Sequence, residues 1–281
     1  MIRSPFRDLP REVSILVAAS FFVAVGFGII MPAIPVFAKS FGVNNAAIGL
    51  MVSAFAITRF ASGLISGTMV DKFGERKVFS TGVFMVSLFT FLAGVAQNYE
   101  QLLFFRAAGG LGSSMFSVAA SSVIMRSVSD DQRGHAQSVY QGSFIVGGMA
   151  GPAIGGLLSV ISLRAPFFVY SVLLFCSGLV ALFFLKGDSI GAKVKNSESD
   201  GATTIREALA MPPYRIALVL AFIGTWVFFG MRASILPVFV TEELNSTTAV
   251  VGYGFALSAI VQGAILLRAG RFSDRRGRRA A

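Results

Sequence analysis

The stretch that decides the fold is a polar turn between two long apolar runs: Gly67-Thr68-Met69-Val70-Asp71-Lys72-Phe73-Gly74-Glu75-Arg76-Lys77. Its glycine, acidic and basic residues recur 203 positions later, as Gly270, Asp274, Gly277 and Arg279. Ile34-Pro35-Val36-Phe37 recurs 202 positions later as Leu236-Pro237-Val238-Phe239, and Gly49 recurs 203 positions later as Gly252. Ordered matches at offsets that differ by a single residue indicate an internal repeat rather than chance.

The composition around this turn is that of a membrane protein. Charged residues make up 14% of the 281 residues, against roughly 25% in soluble domains, and apolar residues make up 54%. This excludes a disordered chain and argues against a soluble enzyme. The single cysteine, Cys176, and the single histidine, His135, exclude an internal disulfide and a Cys- or multi-His metal site. We therefore expect no cofactor or metal.

Eight runs with at most one charge are long enough to cross a bilayer as helices, which takes about 20 residues. They are Val13–Ala38, Asn44–Val70, Val78–Tyr99, Gln101–Met125, Ala136–Leu163, Ala165–Leu185, Ile216–Thr241 and Leu244–Leu267. The predicted fold class is an all-α integral membrane bundle with eight spans.

The distribution of basic residues predicts the orientation. Alternate loops hold 19 of the 24 Lys and Arg residues, and the opposite loops hold only Lys39 and Arg164. By the positive-inside rule the N-terminus is cytoplasmic, in the plasma (inner) membrane. The basic loops are suited to contact the lipid bilayer, and they are too short to form a nucleic-acid-binding face.

A polar segment divides the predicted spans into six and two. The prediction is a six-helix bundle over 1–185, a central cytoplasmic loop over 186–213 and a partial C-terminal bundle over 214–281. Both copies of the repeat begin on the cytoplasmic side, so the repeat is parallel. A parallel repeat of six spans is the plan of one large transporter fold.

These motifs resemble the major facilitator superfamily. The polar turn resembles the superfamily's signature loop, G-x-x-x-D-[RK]-x-G-x-R-[RK], and the stretch from Gly270 to Arg279 resembles its second copy. Arg106-Ala107-Ala108-Gly109-Gly110-Leu111-Gly112 resembles R-x-x-x-G-x-G. The stretch from Gly147 to Gly156 is similar to the G-x-x-x-G-P-x-x-G-G motif of drug:proton antiporters, and Gly26, Pro32 and Pro35 resemble the first-span pattern of that subgroup.

The resemblance implies roles for the residues of these motifs. The signature loop residues Gly67, Asp71, Gly74, Arg76 and Lys77, with Gly270, Asp274, Gly277 and Arg279, would form an inner gate. Asp71 is expected to pair with Arg76 or with a helix N-terminus, although a simple helix cap is the alternative. Two stripes, Gly147, Gly151 and Gly155 beside Gly148, Pro152 and Gly156, would allow close helix packing or a bend.

Three cations, Arg59, Arg106 and Arg232, lie inside predicted spans, whereas all 14 acidic residues are assigned to loops. Intramembrane charge is costly and usually functional, so these arginines are candidates for substrate or coupling contacts. Proton antiport commonly uses an intramembrane carboxylate, and none is visible. An anionic or a neutral substrate is therefore an alternative to a lipophilic cation.

The predicted function is transport of a small, lipophilic solute by alternating access, with no enzymatic activity. Efflux by antiport, with protons as the coupling partner, is what the resemblance implies. The chain ends where a ninth span is expected, which favours a C-terminally incomplete transporter or one completed by a second polypeptide. The alternative is a truncated, non-transporting membrane protein: a gene remnant, a partner-dependent subunit or a sensor.

Overall fold

The computed structural model describes residues 9–129, 132–185 and 205–227, together with 236, 239–244, 250, 254, 257, 258 and 261. The chain divides into two compact units, one containing residues 9–185 and the other residues 205–261. The helices of the first unit are α1 (Arg11–Ile30), α2 (Ala33–Lys39), α3 (Asn45–Ala61), α4 (Gly63–Phe73), α5 (Glu75–Val95), α6 (Tyr99–Ser127), α7 (Arg133–Ile161) and α8 (Ala165–Phe184).

These eight helices occupy the first six predicted spans. Within the described ranges, four helical segments are long and apolar enough to cross a membrane: Arg11–Lys39, α5, α6 and α8. The bent pair of α3 and α4 makes a fifth if it is one span. The described residues therefore form helices, several of them long and apolar enough to cross a membrane, whereas the count of eight spans stays a prediction.

The second predicted span is broken, which the sequence did not suggest. α3 and α4 meet at Ser62 and bend by 45°. The Ser62 hydroxyl donates to the Thr58 carbonyl at 2.7 Å, and the Ser66 hydroxyl donates to the Ser62 carbonyl at 2.8 Å. Side chains that bond back to the preceding turn, next to a glycine such as Gly63, commonly bend helices.

Close helix contacts build the core of the first unit. α1 packs against α7 and α8, α5 packs against α6 and α8, and α3 and α4 pack against α6. A Cβ placed on Gly82 of α5 would lie 2.7 Å from the Gly112 carbonyl oxygen of α6. Membrane helices associate through such van der Waals contact at small residues, because lipid supplies no hydrophobic drive between them.

Arg164, which directly precedes α8, links three segments at one end of the first unit. Its guanidinium donates to the carbonyl oxygens of Gly94 at 2.9 Å and Ala96 at 2.8 Å, at the C-terminus of α5. It also lies 5.3 Å from the ring centroid of Phe37. The unpaired carbonyls at a helix end need such donors, so Arg164 ties three segments together.

The second unit contains α9 (Ile205–Ala210), α10 (Pro212–Thr225) and a π-helical turn at Phe239–Glu243. α10 covers the beginning of the predicted seventh span. Most of the predicted eighth span, Arg232 and the second copy of the polar turn, with Gly270, Asp274, Gly277 and Arg279, lie outside the described residues.

Candidate functional site

The polar turn at Gly74 joins α4 and α5 with a single residue between them. Gly74 has φ +83°, a conformation that costs glycine little and other residues more. Its backbone N–H donates to the Val70 carbonyl at 2.9 Å. The turn therefore places Asp71 in the last turn of α4 and Glu75 at the start of α5, rather than in a loop.

Asp71 and Glu75 both bind Arg126, near the end of α6. Arg126 Nη2 lies 3.0 Å from Asp71 Oδ1, and Arg126 Nη1 lies 2.7 Å from Glu75 Oε1. The Ser122 hydroxyl donates to the same Glu75 oxygen at 3.0 Å. We call Asp71, Glu75, Ser122 and Arg126 the Arg126 cluster. It links α4, α5 and α6 at one end of the bundle.

The two carboxylates of the Arg126 cluster differ in burial. The Glu75 side chain is 3% exposed, whereas the Asp71 side chain is 73% exposed. An exposed ion pair contributes little to stability, but a buried charge that loses its partner is strongly destabilising. Glu75 therefore anchors Arg126, and Asp71 keeps most of its carboxylate accessible to a further partner.

The structure corrects the expected partner of Asp71. Its ion pair is with Arg126, 55 positions along the chain, and not with Arg76. Arg76 Nε instead donates to the Leu182 carbonyl at 2.8 Å, in the last turn of α8. Lys77 is exposed, and Gly67 has no atom within 4 Å of a Cβ placed on it. Sequence reasoning missed Glu75 and Arg126, because both were assigned to loops.

Arg106 lies inside the bundle on α6. It is 7% exposed, its Nε is buried without a hydrogen-bond partner among the described residues, and its Cζ lies 4.6 Å from the Phe55 ring centroid. Arg59 follows Phe55 by one turn on α3, and its side chain is exposed. The structure thus brings two of the three predicted intramembrane arginines to one helix pair.

Gly110 brings α3 and α6 together at this point. A Cβ placed on Gly110 would lie 2.6 Å from the Phe55 carbonyl oxygen and 3.1 Å from the Arg59 backbone nitrogen. No side chain larger than hydrogen fits between these backbones without movement. The R-x-x-x-G-x-G motif therefore has a packing role here, because its first glycine, Gly110, lets α3 pack closely against α6 near Arg106.

Two buried tyrosines lie near these arginines. Tyr170 of α8 is within electrostatic range of Arg106 and Arg59, and Tyr140 of α7 is within range of Arg59. A Cβ on Gly26 of α1 would overlap the Tyr170 ring, so Gly26 makes the space that this ring occupies. The sequence singled out Gly26 but contained no local signal for Tyr170.

The two small-residue stripes of α7 have different surroundings. Cβ atoms on Gly147, Gly151 and Gly155 would run into α1, at Ala24, Gly28 and the carbonyl of Ile29, respectively. Cβ atoms on Gly148 and Gly156 would have no atom within 4 Å. α7 continues as one helix through Pro152. The first stripe therefore packs α7 onto α1, and the second stripe is open.

Among the described residues, no group of three His, Cys, Asp or Glu residues is placed to bind a metal ion. The polar groups are instead charged pairs at the helix ends and arginines inside an apolar bundle.

The helical bundle, the charged turn and the glycine contacts together identify the chain as a multi-pass membrane protein. The chain belongs to the Major Facilitator Superfamily, because the family model matches residues 16–281.

Curated relatives are bacterial drug-resistance proteins. Multidrug resistance protein 2 of Bacillus subtilis (strain 168) is 24% identical over 260 residues, which cover 89% of this chain and 64% of that protein. Multidrug resistance protein 1 of the same organism is 26% identical over 88% of this chain and 63% of its own length. Quinolone resistance protein NorA of Staphylococcus aureus (strain MRSA252) is 26% identical over 75% and 55%. The chain thus spans less than two thirds of these relatives.

A solved structure shares the fold. The human organic anion transporter MFSD10 (TETRAN) matches with a TM-score of 0.72 at 17% identity, over 91% of this chain and 71% of that one. At that identity the likeness concerns the fold alone.

Proposed function

We propose that this protein exports a small, lipophilic solute across the plasma membrane by alternating access. The observation that carries the proposal is the family match over residues 16–281 together with relatives named for multidrug and quinolone resistance. In this fold two bundles rock around a site near the bilayer midplane. Antiport with protons is part of the proposal, supported by the similarity of the Gly147–Gly156 stretch to the antiporter motif.

The proposed topology has a cytoplasmic N-terminus, six spans in residues 1–185, a cytoplasmic connection over 186–213 and further spans after it. The supporting observation is the charge asymmetry, with 19 of 24 basic residues on alternate loops. The ends of α4, α6 and α8 and the start of α5 meet around the Arg126 cluster and Arg76. That end is the cytoplasmic one in this proposal.

The Arg126 cluster is the proposed inner gate. A gate needs one contact that holds and one that changes between states. Glu75 is buried and fixes Arg126, whereas Asp71 is exposed and free to exchange partners with a segment on the opposite bundle. The second copy of the turn, with Asp274 and Arg279, takes the corresponding role in the second half.

The test is an efflux assay in bacterial cells that express the full gene product. Retention of ethidium, 2-naphthoate and its neutral isostere 2-naphthamide is compared between cells with and without the protein. We expect lower retention of at least one probe, and we expect Asp71→Asn to reduce that effect without reducing the amount of protein in the membrane. Equal retention of all three probes, with the protein present in the membrane, would overturn the proposal.

Glu100→Gln is the matched control for Asp71→Asn. Glu100 is also an exposed acidic residue near a helix terminus, but it lies at the N-terminal end of α6, away from the Arg126 cluster. We expect the control variant to retain wild-type efflux. Unchanged efflux in Asp71→Asn would remove the gate role while leaving the transport proposal in place.

A further inference from the structure

Arg106 is a buried cation with no carboxylate paired to it among the described residues. No Asp or Glu occurs in residues 13–70, 76–99, 101–129 or 132–185, so α4, α5 and α6 carry acidic residues only near their ends, at Asp71, Glu75 and Glu100. Its Nε also lacks a hydrogen-bond partner among the described residues. An ion moved out of water is strongly destabilising unless it is paired, and arginine does not lose its proton in proteins.

Other ways of accommodating this charge do not account for Arg106. A snorkelling arginine extends its head to water, but Arg106 is only 7% exposed. The Phe55 ring, 4.6 Å away, gives a cation–π contact, which leaves the donors in the guanidinium plane free for other partners. Arg59 lies in the last turn of α3, where the helix dipole favours a cation, but Arg106 is in the interior of α6.

A second arginine makes the same place more positive. The contact between Gly110 and the Phe55–Arg59 backbone holds α3 against α6, so Arg59 is one helical turn beyond the ring that covers Arg106. Arg59 is exposed and Arg106 is buried, and an anion bound between them would offset the repulsion of the two like charges. Tyr170 interacts electrostatically with both arginines, so its hydroxyl is the third group included in the proposed site.

We propose that Arg106, Arg59 and Tyr170 bind the carboxylate of an amphiphilic organic anion, which defines the substrate class of the proposed exporter and in that respect rests on the proposed function. The planar guanidinium matches a carboxylate through paired N–H donors. The Phe55 ring offers an aromatic surface to the apolar part of the same molecule. Gly26 and Gly110 are positioning residues, since they make room for Tyr170 and for α3.

The binding test uses two probes that differ only in charge. The purified full gene product in detergent is titrated with 2-naphthoate and with 2-naphthamide by isothermal calorimetry at low ionic strength. The wild-type protein is expected to bind naphthoate about tenfold or more tightly than naphthamide, because charge-assisted hydrogen bonds form only with the anion. Equal affinity for both probes in the wild-type protein would overturn the proposal without any variant.

Variants then locate the site. In Arg106→Gln the preference for naphthoate should be lost, whereas Arg106→Lys should retain part of it, since a lysine keeps the charge but not the planar fork. Arg11→Gln, which removes an exposed cation at the start of α1, should keep the full preference. An undiminished preference in Arg106→Gln would contradict the proposal. If Arg106→Gln does not fold, the comparison of Arg59→Gln with Arg11→Gln gives the same decision.

The binding and transport experiments distinguish failure of the proposed anion site from failure of the proposed export. A protein that prefers naphthoate but moves neither probe across a membrane would support the anion site and contradict the proposed export. A protein that exports ethidium or naphthamide but shows no preference for naphthoate would do the reverse.

Discussion

Replacing Glu75 with glutamine should destabilise the bundle more than replacing Asp71 with asparagine. Glu75→Gln keeps the size of the side chain and removes its charge. Arg126 and Ser122 both donate to one oxygen of Glu75, at 2.7 and 3.0 Å, in a position that is 3% exposed. Asp71 binds the same arginine at 3.0 Å, but its side chain is 73% exposed.

The burial of the two acids sets the expected magnitudes. Removing one partner of a fully buried ion pair costs about 3–5 kcal/mol. Arg126 is itself 27% exposed and would still have Asp71, so we expect Glu75→Gln to lower the free energy of unfolding by about 1–3 kcal/mol. An exposed pair contributes about 0–1 kcal/mol, which is the range expected for Asp71→Asn.

The assay is unfolding of the purified protein in mixed micelles by increasing dodecyl sulfate, followed by far-ultraviolet circular dichroism. Glu100→Gln controls for the loss of an exposed acid. Arg126→Gln, measured alone and together with Glu75→Gln, completes a double-mutant cycle. A stability of Glu75→Gln within about 0.5 kcal/mol of wild type, or a larger loss in Asp71→Asn, would refute the view that burial makes Glu75 the anchor.

Two pairs of glycines and Arg164 provide three further predictions by the same unfolding assay. Gly74→Ala should lower stability by about 1–3 kcal/mol, because φ +83° with ψ 157° is a backbone conformation that essentially only glycine adopts. Gly67→Ala, in open space on α4, should have little effect, and equal effects of the two substitutions would contradict the role of the turn. Gly155→Ala should disrupt the α1–α7 contact at Ile29, and Gly156→Ala should be tolerated; the reverse order would assign the wrong stripe to packing. Arg164→Gln should lower stability by about 1–3 kcal/mol by leaving two carbonyls without their charged donor, and no change would exclude it as a clamp.

The apolar runs predicted the helices well, because the length of a segment without charged residues can be read directly from the sequence. The helices α5 and α6 lie within a few residues of the predicted spans. The break at Ser62 was not predictable in this way, since it depends on which carbonyl each serine hydroxyl contacts. The last two of the eight predicted spans lie mostly outside the described residues.

The sequence predicted which residues belong to the candidate site better than it predicted which of them contact each other. Arg106 and the Gly147 stripe were recognisable from motif and spacing. The Arg126 cluster was not, because its members are separated by about fifty positions and meet only after α4, α5 and α6 have packed. The buried state of Glu75 likewise depends on α6, which covers it. Tyr170 enters the site only through the space that Gly26 leaves in α1.

Transport by the purified protein tests the central claim most directly. The full gene product is reconstituted into liposomes, and the movement of 2-naphthoate, 2-naphthamide and ethidium is followed with and without an imposed pH gradient. We expect protein-dependent movement of at least one probe, and we expect the pH gradient to accelerate this movement and Asp71→Asn to slow it. Rates equal to those of protein-free liposomes for all three probes would contradict it.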